Sequence, residues 1–299
     1  MAGVRHDVRD SGAPMELVHK SSERDVFPTG WRRTSDTGFV VTAQLPHDHP
    51  FFTPVHGDHD DPLLIVEIMR QITLLITHAG FDVPVGHHFL LNSMDFAFLP
   101  ERLRTGTATE LTAGVRCSEI GRRAGHLARM RSDVELRLAS GRVVATGVGR
   151  IGVMSPAVYR RLRGDLPTDA GGPVPRGIPK DLVSRADDRD VVLAPGPATD
   201  TATWELRVDT THPTFFGHPN DHVPGMLLLE AARQAANALA APAPFVPASG
   251  GITFDRYADL GLPCVIRALE TDPDTVEVTG HQNENRVFRC VLTAPGKTS

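Results

Sequence analysis

The stretch His212–Gln234, HPTFFGHPNDHVPGMLLLEAARQ, decides the fold. It reads as a polar loop with three histidines, a Pro-Gly pair, and then a strongly apolar helix interrupted by Glu230, Arg233 and Gln234. A second version stands 163 positions upstream. His49–Gln71 reads HPFFTPVHGDHDDPLLIVEIMRQ, and nine of 23 positions are identical without a gap. Those nine are His, Pro, Phe, Asp, His, Leu, Glu, Arg and Gln. Two unrelated apolar helices would not share mostly polar identities, so the chain contains an internal duplication.

Strand patterns surround each helix. Phe39–Leu45 has the apolar bias and β-branching of a strand, His87–Leu99 reads as another, and Glu110 to Val153 is strand-like with a hairpin turn at Ser140-Gly141. The second copy repeats the order: a strand at Thr203–Val208, loop and helix, then strands near Gly251–Tyr257, Cys264–Glu270, Thr275–Gly280 and Arg286–Thr293. Residues 1–20 read as a loose tail, 21–165 as the first repeat, 166–189 as a Pro/Gly-rich linker, and 190–299 as the second repeat. One apolar helix within a run of antiparallel strands predicts an α+β fold in which a sheet wraps the helix. Two copies predict a pseudo-two-fold pair, the fused equivalent of a symmetric dimer. Either a monomeric pseudo-dimer or a higher homo-oligomer fits.

Apolar content of 40% and charged content of 22% are those of a globular protein. A net charge of −5 argues against bulk nucleic-acid or anionic-membrane binding. The basic residues are lopsided: Lys20, Lys180 and Lys297 are the only lysines, and the rest are arginine, which suits bidentate anion binding. Cys117, Cys264 and Cys290 form neither a disulfide framework nor a zinc pattern. The start, MAGVRHDVRDSG, lacks the apolar core of a signal peptide, and Leu63–Ile76 is interrupted by charge and short for a bilayer span. A cytoplasmic protein is expected.

On a helix, Glu230, Arg233 and Gln234 share one face, as do Glu67, Arg70 and Gln71. Such groups are costly to bury unless paired. One reading is a structural Glu–Arg pair in each copy, holding the helix against the sheet. The other is catalytic. A histidine recurs eight residues before each glutamate, His59 before Glu67 and His222 before Glu230, and a histidine near a carboxylate is an acid/base couple with a pKa near working pH. Asp58 and Asp221 precede these histidines and either orient the imidazole or cap the helix, capping being the plainer role. His49 and His212 are read as fixing the loop. Pro224-Gly225 lets the chain turn tightly into its helix, leaving backbone N–H groups, including those of Gly225 and Met226, for a carbonyl oxygen gaining charge. The first copy has Asp61-Pro62 there, and its carboxylate works against an oxyanion. The second-copy helix is the better acyl site.

The run FFGHPNDHVPGMLLLEAARQ resembles the loop and central helix of hotdog-fold acyl-thioester enzymes, whose dehydratase members carry His, Pro-Gly, Glu-Ala and Gln in this region. The shorter spacing from His218 to Pro-Gly favours His222 as the matching histidine. The nearer resemblance is to the AfsA-type family of A-factor (γ-butyrolactone) biosynthesis proteins, which carry two hotdog repeats. They have an HDxPLLxxExxRQ-like run, here His59–Gln71, and an HPxDHVPGMLLLEAARQ-like run, here His218–Gln234. The resemblance covers nearly the whole chain. It implies a double hotdog and transfer of a β-ketoacyl group from an acyl carrier protein to the hydroxyl of dihydroxyacetone phosphate. The ester then condenses toward a butenolide phosphate, a precursor of a signalling lactone. It further implies that Glu230 or Glu67, with a histidine, takes the hydroxyl proton, and that Arg233 or Arg70 binds phosphate or an enolate. Gln234, Gln71, Gly225, Met226, Asp221 and Asp58 would line the substrate. Hotdog sites lie between subunits, which pairs His59 with Glu230, or His222 with Glu67. No cofactor or metal is expected.

An acidic carrier protein needs a basic patch. Arg122, Arg123, Arg129 and Arg131 could supply one, as could Arg160, Arg161 and Arg163; a merely solvated face is the alternative for each cluster. Two other functions stay in view: a hotdog thioester hydrolase or dehydratase, and a non-catalytic acyl-lactone binding protein. No helix-turn-helix pattern is visible. His56, Asp58, His59, Asp60 and Asp61 are dense in ligand-type residues without a recognised metal spacing.

Overall fold

The computed structural model describes residues 13–52, 60–99, 108–164, 166, 172–196, 202–217 and 219–296. The chain divides into two compact units. The first is Met1–His49, Leu64–Leu99 and Leu103–Gly164, and the second is Pro50–Leu63, Pro100–Arg102 and Asp165–Ser299. The described residues on either side of the polar loop, 50–52 and 60–63, therefore cluster with the second unit, although the 21–165 boundary assigns them to the first repeat.

In the first unit the strands are β1 (Pro28–Arg33), β2 (Gly38–Pro46), β3 (His88–Phe98), β4 (Ala108–Arg123), β5 (His126–Arg137) and β6 (Val143–Met154), in the antiparallel order β1-β2-β4-β5-β6-β3. In the second they are β7 (Leu193–Pro195), β8 (Thr203–Leu206), β9 (Ser249–Phe254), β10 (Val265–Asp272), β11 (Thr275–Gln282) and β12 (Asn285–Thr293), in the order β7-β8-β10-β11-β12-β9. Counted from the start of each repeat, the two orders are the same. The duplication read in one loop and helix extends to the whole topology.

Alternation sets which face of each sheet is dry. In β4, Leu111, Ala113, Val115 and Cys117 are buried while the residues between them are open. In β11, Val276, Val278, Gly280 and Gln282 point inward. A period of two gives one buried face, and a helix covers it.

Helix α1 (Pro62–Leu75) continues through a π-helical turn, Ile76–Gly80. Together they are long and apolar enough by composition to cross a membrane, but 89% of that stretch is buried within the protein, as a core helix is. It lies close to the sheet. A Cβ at Gly147 of β6 would meet Met69 Sδ at 2.4 Å, so any larger residue there would force the Met69 side chain to shift. Thr73 Oγ1 also meets Ser132 Oγ of β5 at 2.9 Å. The second-copy helix, which follows the short α2 (Pro156–Arg163), is α3 (Gly225–Ala240); every residue from Leu227 to Asn237 is buried. Ala231, Ala232, Ala235 and Ala236 are wholly shielded, which lets the helix settle on β10 and β11.

The described parts of the segment read as a loose tail and of the one read as a linker are anchored. Val18 is fully buried and Lys20 reaches Glu67 at 3.0 Å, so the expected tail is held from the described part of its length onward. The expected linker likewise belongs to the second unit's core in its last half. Ile178 and Val183 are buried, and Arg185 has a side chain only 2% exposed. The two segments are themselves a repeat. MELVHKSSERDVF (residues 15–27) and KDLVSRADDRDVV (residues 180–192) share Leu-Val and Arg-Asp-Val in register. Each carries two 3-10 turns, Met15–Leu17 and Glu23–Asp25 in the first, Lys180–Val183 and Asp188–Asp190 in the second. Shortness and polarity conceal this match at the level of hydrophobic pattern.

Candidate active site

The two Glu-xx-Arg-Gln triplets form the same construction. In the second unit, Arg233 grips Glu230 with Nε at 2.8 Å and Nη2 at 2.7 Å, and Gln234 Nε2 donates to the same carboxylate at 2.5 Å. Arg185 Nε adds a fourth donor at 2.8 Å. In the first unit, Arg70 donates to Glu67 from Nε at 2.7 Å and Nη2 at 2.8 Å, Gln71 at 2.8 Å, and Lys20 closes the set. Lys20 and Arg185 hold corresponding places in the repeated segments.

The glutamines extend each network to the backbone. Gln71 accepts from Phe27 N and donates to Asp25 O; Gln234 accepts from Val192 N and donates to Asp190 O. His49 meets Asp25 at 2.9 Å and His212 meets Asp190 at 3.1 Å, so both histidines fix the loop as read. Each triplet thus ties its helix to the turn that feeds the first strand. Buried polar groups are tolerated when satisfied in this way.

This setting opposes the expected general-base role of the glutamates. Burial pushes the Glu230 carboxyl up, but the Arg185 and Arg233 guanidiniums and their hydrogen bonds prevail and hold it down to about 2. For Glu67, too, burial is outweighed, by Arg70 and Lys20, and its carboxyl sits well below the usual range. A carboxylate so stabilised is a weak proton acceptor at neutral pH. The arginines are committed as well: Arg233 also bonds Val183 O, and Arg70 uses two donors on Glu67. For the expected part in phosphate binding, each keeps only Nη1 uncommitted among the described residues. The structural reading of the triplets is the one that the geometry favours.

The helix starts differ. Asp61 Oδ1 accepts from Leu63 N at 2.9 Å and caps α1, while its Oδ2 lies 3.1 Å from Arg185 Nη1. Phe51 O takes the same guanidinium nitrogen at 2.7 Å, and the Phe51 ring lies beneath the guanidinium, 4.1 Å from its carbon. Helix α3 begins after Pro224 with no side-chain cap. Leu227 N and Leu228 N bond Pro224 O, but Gly225 N and Met226 N meet no acceptor among the described residues. Both residues are partly exposed, so this helix end is open where the other is closed.

Beside that open end stands His222. Its Nδ1 is 2.6 Å from Asp221 Oδ1, its ring packs edge-on to Tyr257 at 4.7 Å, and its side chain is 25% exposed. An isolated bridge to Asp259, with Val223 N bonded to Ala258 O, pins the backbone. Asp221 therefore orients the imidazole and does not cap the helix, which corrects the plainer expectation. The expected His59, with Asp58 and His218, lies outside the described residues. His222 belongs to the second unit and Glu67 to the first. Within its own unit the carboxylate that accompanies His222 is Asp221.

Sequence reasoning missed Arg185, Lys20 and Asp25 with its counterpart Asp190, and the signal that finds them is the second repeated segment. Among the described residues no group of three or more His, Cys, Asp or Glu side chains converges as a metal site. The three thiols are buried, and burial pushes those of Cys117 and Cys264 up to about 12, so none is poised as a nucleophile.

One antiparallel sheet around one long helix, present twice, defines a double hotdog protein. Solved structures agree at the level of fold. The 12:0-ACP thioesterase from Umbellularia californica matches with a TM-score of 0.56 at 11% identity, over 86% of this chain and 97% of that one. The model of the A-factor biosynthesis hotdog domain (AfsA) matches residues 5–155 and 168–288, and the chain belongs to that family. Among curated relatives, the 2-oxo-3-(phosphooxy)propyl 3-oxoalkanoate synthase of Streptomyces coelicolor is 48% identical, over 94% of this chain and 91% of its own. That of Streptomyces virginiae is 44% identical over 96% and 98%.

Proposed function

We propose that the protein is an acyltransferase that makes a 2-oxo-3-(phosphooxy)propyl 3-oxoalkanoate, the ester of dihydroxyacetone phosphate with a β-keto acid. The observation that carries this reading is the 48% identity over 94% of the chain to a synthase of that name. Such an ester forms when the hydroxyl of the triose phosphate attacks a 3-oxoacyl thioester. A C–O bond forms, the C–S bond breaks, and the hydroxyl proton ends on the departing thiol. The donor in this reading is an acyl carrier protein. The ester then condenses toward a butenolide phosphate, the precursor of a γ-butyrolactone-type signal.

In this reading His222, oriented by Asp221, takes the hydroxyl proton. The Gly225 and Met226 N–H groups receive the thioester oxygen as it gains charge, where the helix dipole adds to the stabilisation. Glu230, Arg233 and Gln234 hold the helix in place, and their counterparts Glu67, Arg70 and Gln71 do the same in the first unit.

The test is product identification by mass spectrometry, using a 3-oxoacyl carrier protein with and without dihydroxyacetone phosphate. The expected product is the phosphorylated ester or its dehydrated ring form, appearing only with the triose phosphate. Release of free 3-oxo acid at the same rate without it would contradict the proposal and make the protein a hotdog hydrolase.

A further inference from the structure

We propose that one end of the first unit's sheet is the docking surface for the acidic carrier protein that delivers the acyl group. The inference rests on the thioester-donor reading above and locates where that donor binds.

Charge distribution is the first observation. The chain carries a net charge of −5, yet residues 108–164 contain eleven arginines and four acids. The corresponding strands of the second repeat, residues 265–293, contain three arginines and five acids. The fold is the same in both, so it does not require the positive charge. Such asymmetry is the usual mark of electrostatic steering toward an anionic partner.

The second observation is where the arginines lie. Arg131, Arg137 and Arg150 are paired with Asp133, Glu135 and Glu119 on the sheet. Arg122, Arg123 and Arg129 surround the β4–β5 hairpin tip, whose Ala124 and Gly125 both take positive φ to make a tight turn. Register places Arg129 opposite Gly152 of β6, three residues before Ser155, whose hydroxyl caps α2. The hairpin tip and α2 are therefore at the same end of the sheet. Helix α2 adds Arg160 and Arg161, both exposed. These five arginines have no acidic partner among the described residues.

The third observation is α2 itself. It directly follows β6, the last strand of the first unit. Tyr159 anchors it by stacking on His88, ring centroids 3.6 Å apart. Val158 and Leu162, four apart on one face, are 47% and 62% exposed. An exposed apolar pair on a helix that also carries exposed arginines, at the arginine-rich end of the sheet, fits a folded acidic protein. Nucleic acid would use the charge and leave the apolar pair without a role.

The experiment compares the full chain with the variant Arg122→Glu, Arg123→Glu, Arg160→Glu, Arg161→Glu. Binding is read by fluorescence anisotropy of a labelled bacterial acyl carrier protein. Turnover is read with a 3-oxoacyl carrier protein and with a small 3-oxoacyl pantetheine thioester. The expected result is a rise of roughly tenfold or more in the carrier Kd and carrier-donor KM, with kcat/KM on the small thioester unchanged. Wild-type carrier affinity should fall with added salt. The four Arg→Gln changes, which add no repulsion, should act in the same direction by roughly threefold at an unaltered melting temperature. Unchanged carrier binding in both variants would overturn the inference, as would preferential binding of a DNA duplex at these arginines. If wild type bound carrier through these arginines but transferred no acyl group, the proposed activity would fail while the docking surface stood.

Discussion

The starts of α1 and α3 are the most instructive contrast in the molecule. Both helices follow a His-Pro loop, and both carry Glu-xx-Arg-Gln on one face. At α1 the first turn is closed by the Asp61 carboxylate. At α3 a Pro-Gly pair leaves the Gly225 and Met226 N–H groups open, with the His222–Asp221 pair alongside. What is common to the copies is the framework, and what differs is the candidate chemistry. Repetition marks Glu67 and Glu230, but it marks them as parts of a scaffold that each unit needs in order to hold its helix.

The largest expected effect on stability comes from breaking the drier network. Glu230→Ala leaves the Arg233 guanidinium buried without a counter-charge and Arg185 with Asp61 alone, and should cost about 3–5 kcal/mol in urea unfolding. Arg185→Ala should give a loss of similar size, and the double variant should lose less than the sum. Additive losses would show that the two side chains do not act together.

Next comes the open helix end. Met226→Pro deletes one backbone donor in the first turn, where proline is tolerated, and should lower turnover by about 10²–10³-fold with little change in stability. Normal turnover in a folded Met226→Pro protein would remove the N–H groups from the account.

Smaller again is the first-unit network. Arg70 is 22% exposed and Lys20 12%, so water replaces part of what Glu67→Ala removes, and the stability loss should be below that of Glu230→Ala. Acid separates the networks from the rest of the protein. The folded-state Glu230 carboxyl lies at about 2 against an ordinary 4.5, so its stabilising contribution is present above 4.5 and fades as pH falls toward 2. The urea midpoint of the wild type should drop over that window more steeply than that of Glu230→Gln. Parallel slopes would contradict the buried network.

Much of this was legible in the sequence. The nine identities between the two loop-helix stretches located both helices and the duplication, because polar residues within an apolar run are conspicuous. Apolar, β-branched runs located β2, β3, β8 and β9 to β12 to within a few residues, and Glu110–Val153, where alternation was visible, resolved into β4, β5 and β6. The short β1 and β7 were not legible, since PTGWRR and LAP have no alternation to read. Arg185 was hidden for a different reason. It sits at the end of a Pro/Gly-rich stretch, and composition says linker where the three-dimensional structure needs a buried cation against Glu230. A helix face also cannot say whether its glutamate meets substrate or arginine. Only the donors around it decide, and for Glu230 one of them comes from 45 residues away.

The most direct measurement is the pairing of turnover and stability for His222→Asn and Glu67→Gln, each assayed for ester formation and unfolded in urea. The account predicts that His222→Asn keeps its unfolding midpoint and loses turnover by about 10²–10⁴-fold, while Glu67→Gln shifts the midpoint downward and keeps most of its turnover per folded molecule. The reverse outcome, a stable Glu67→Gln protein without turnover beside a fully active His222→Asn, would return the chemistry to the repeated glutamates and contradict the division into scaffold and site.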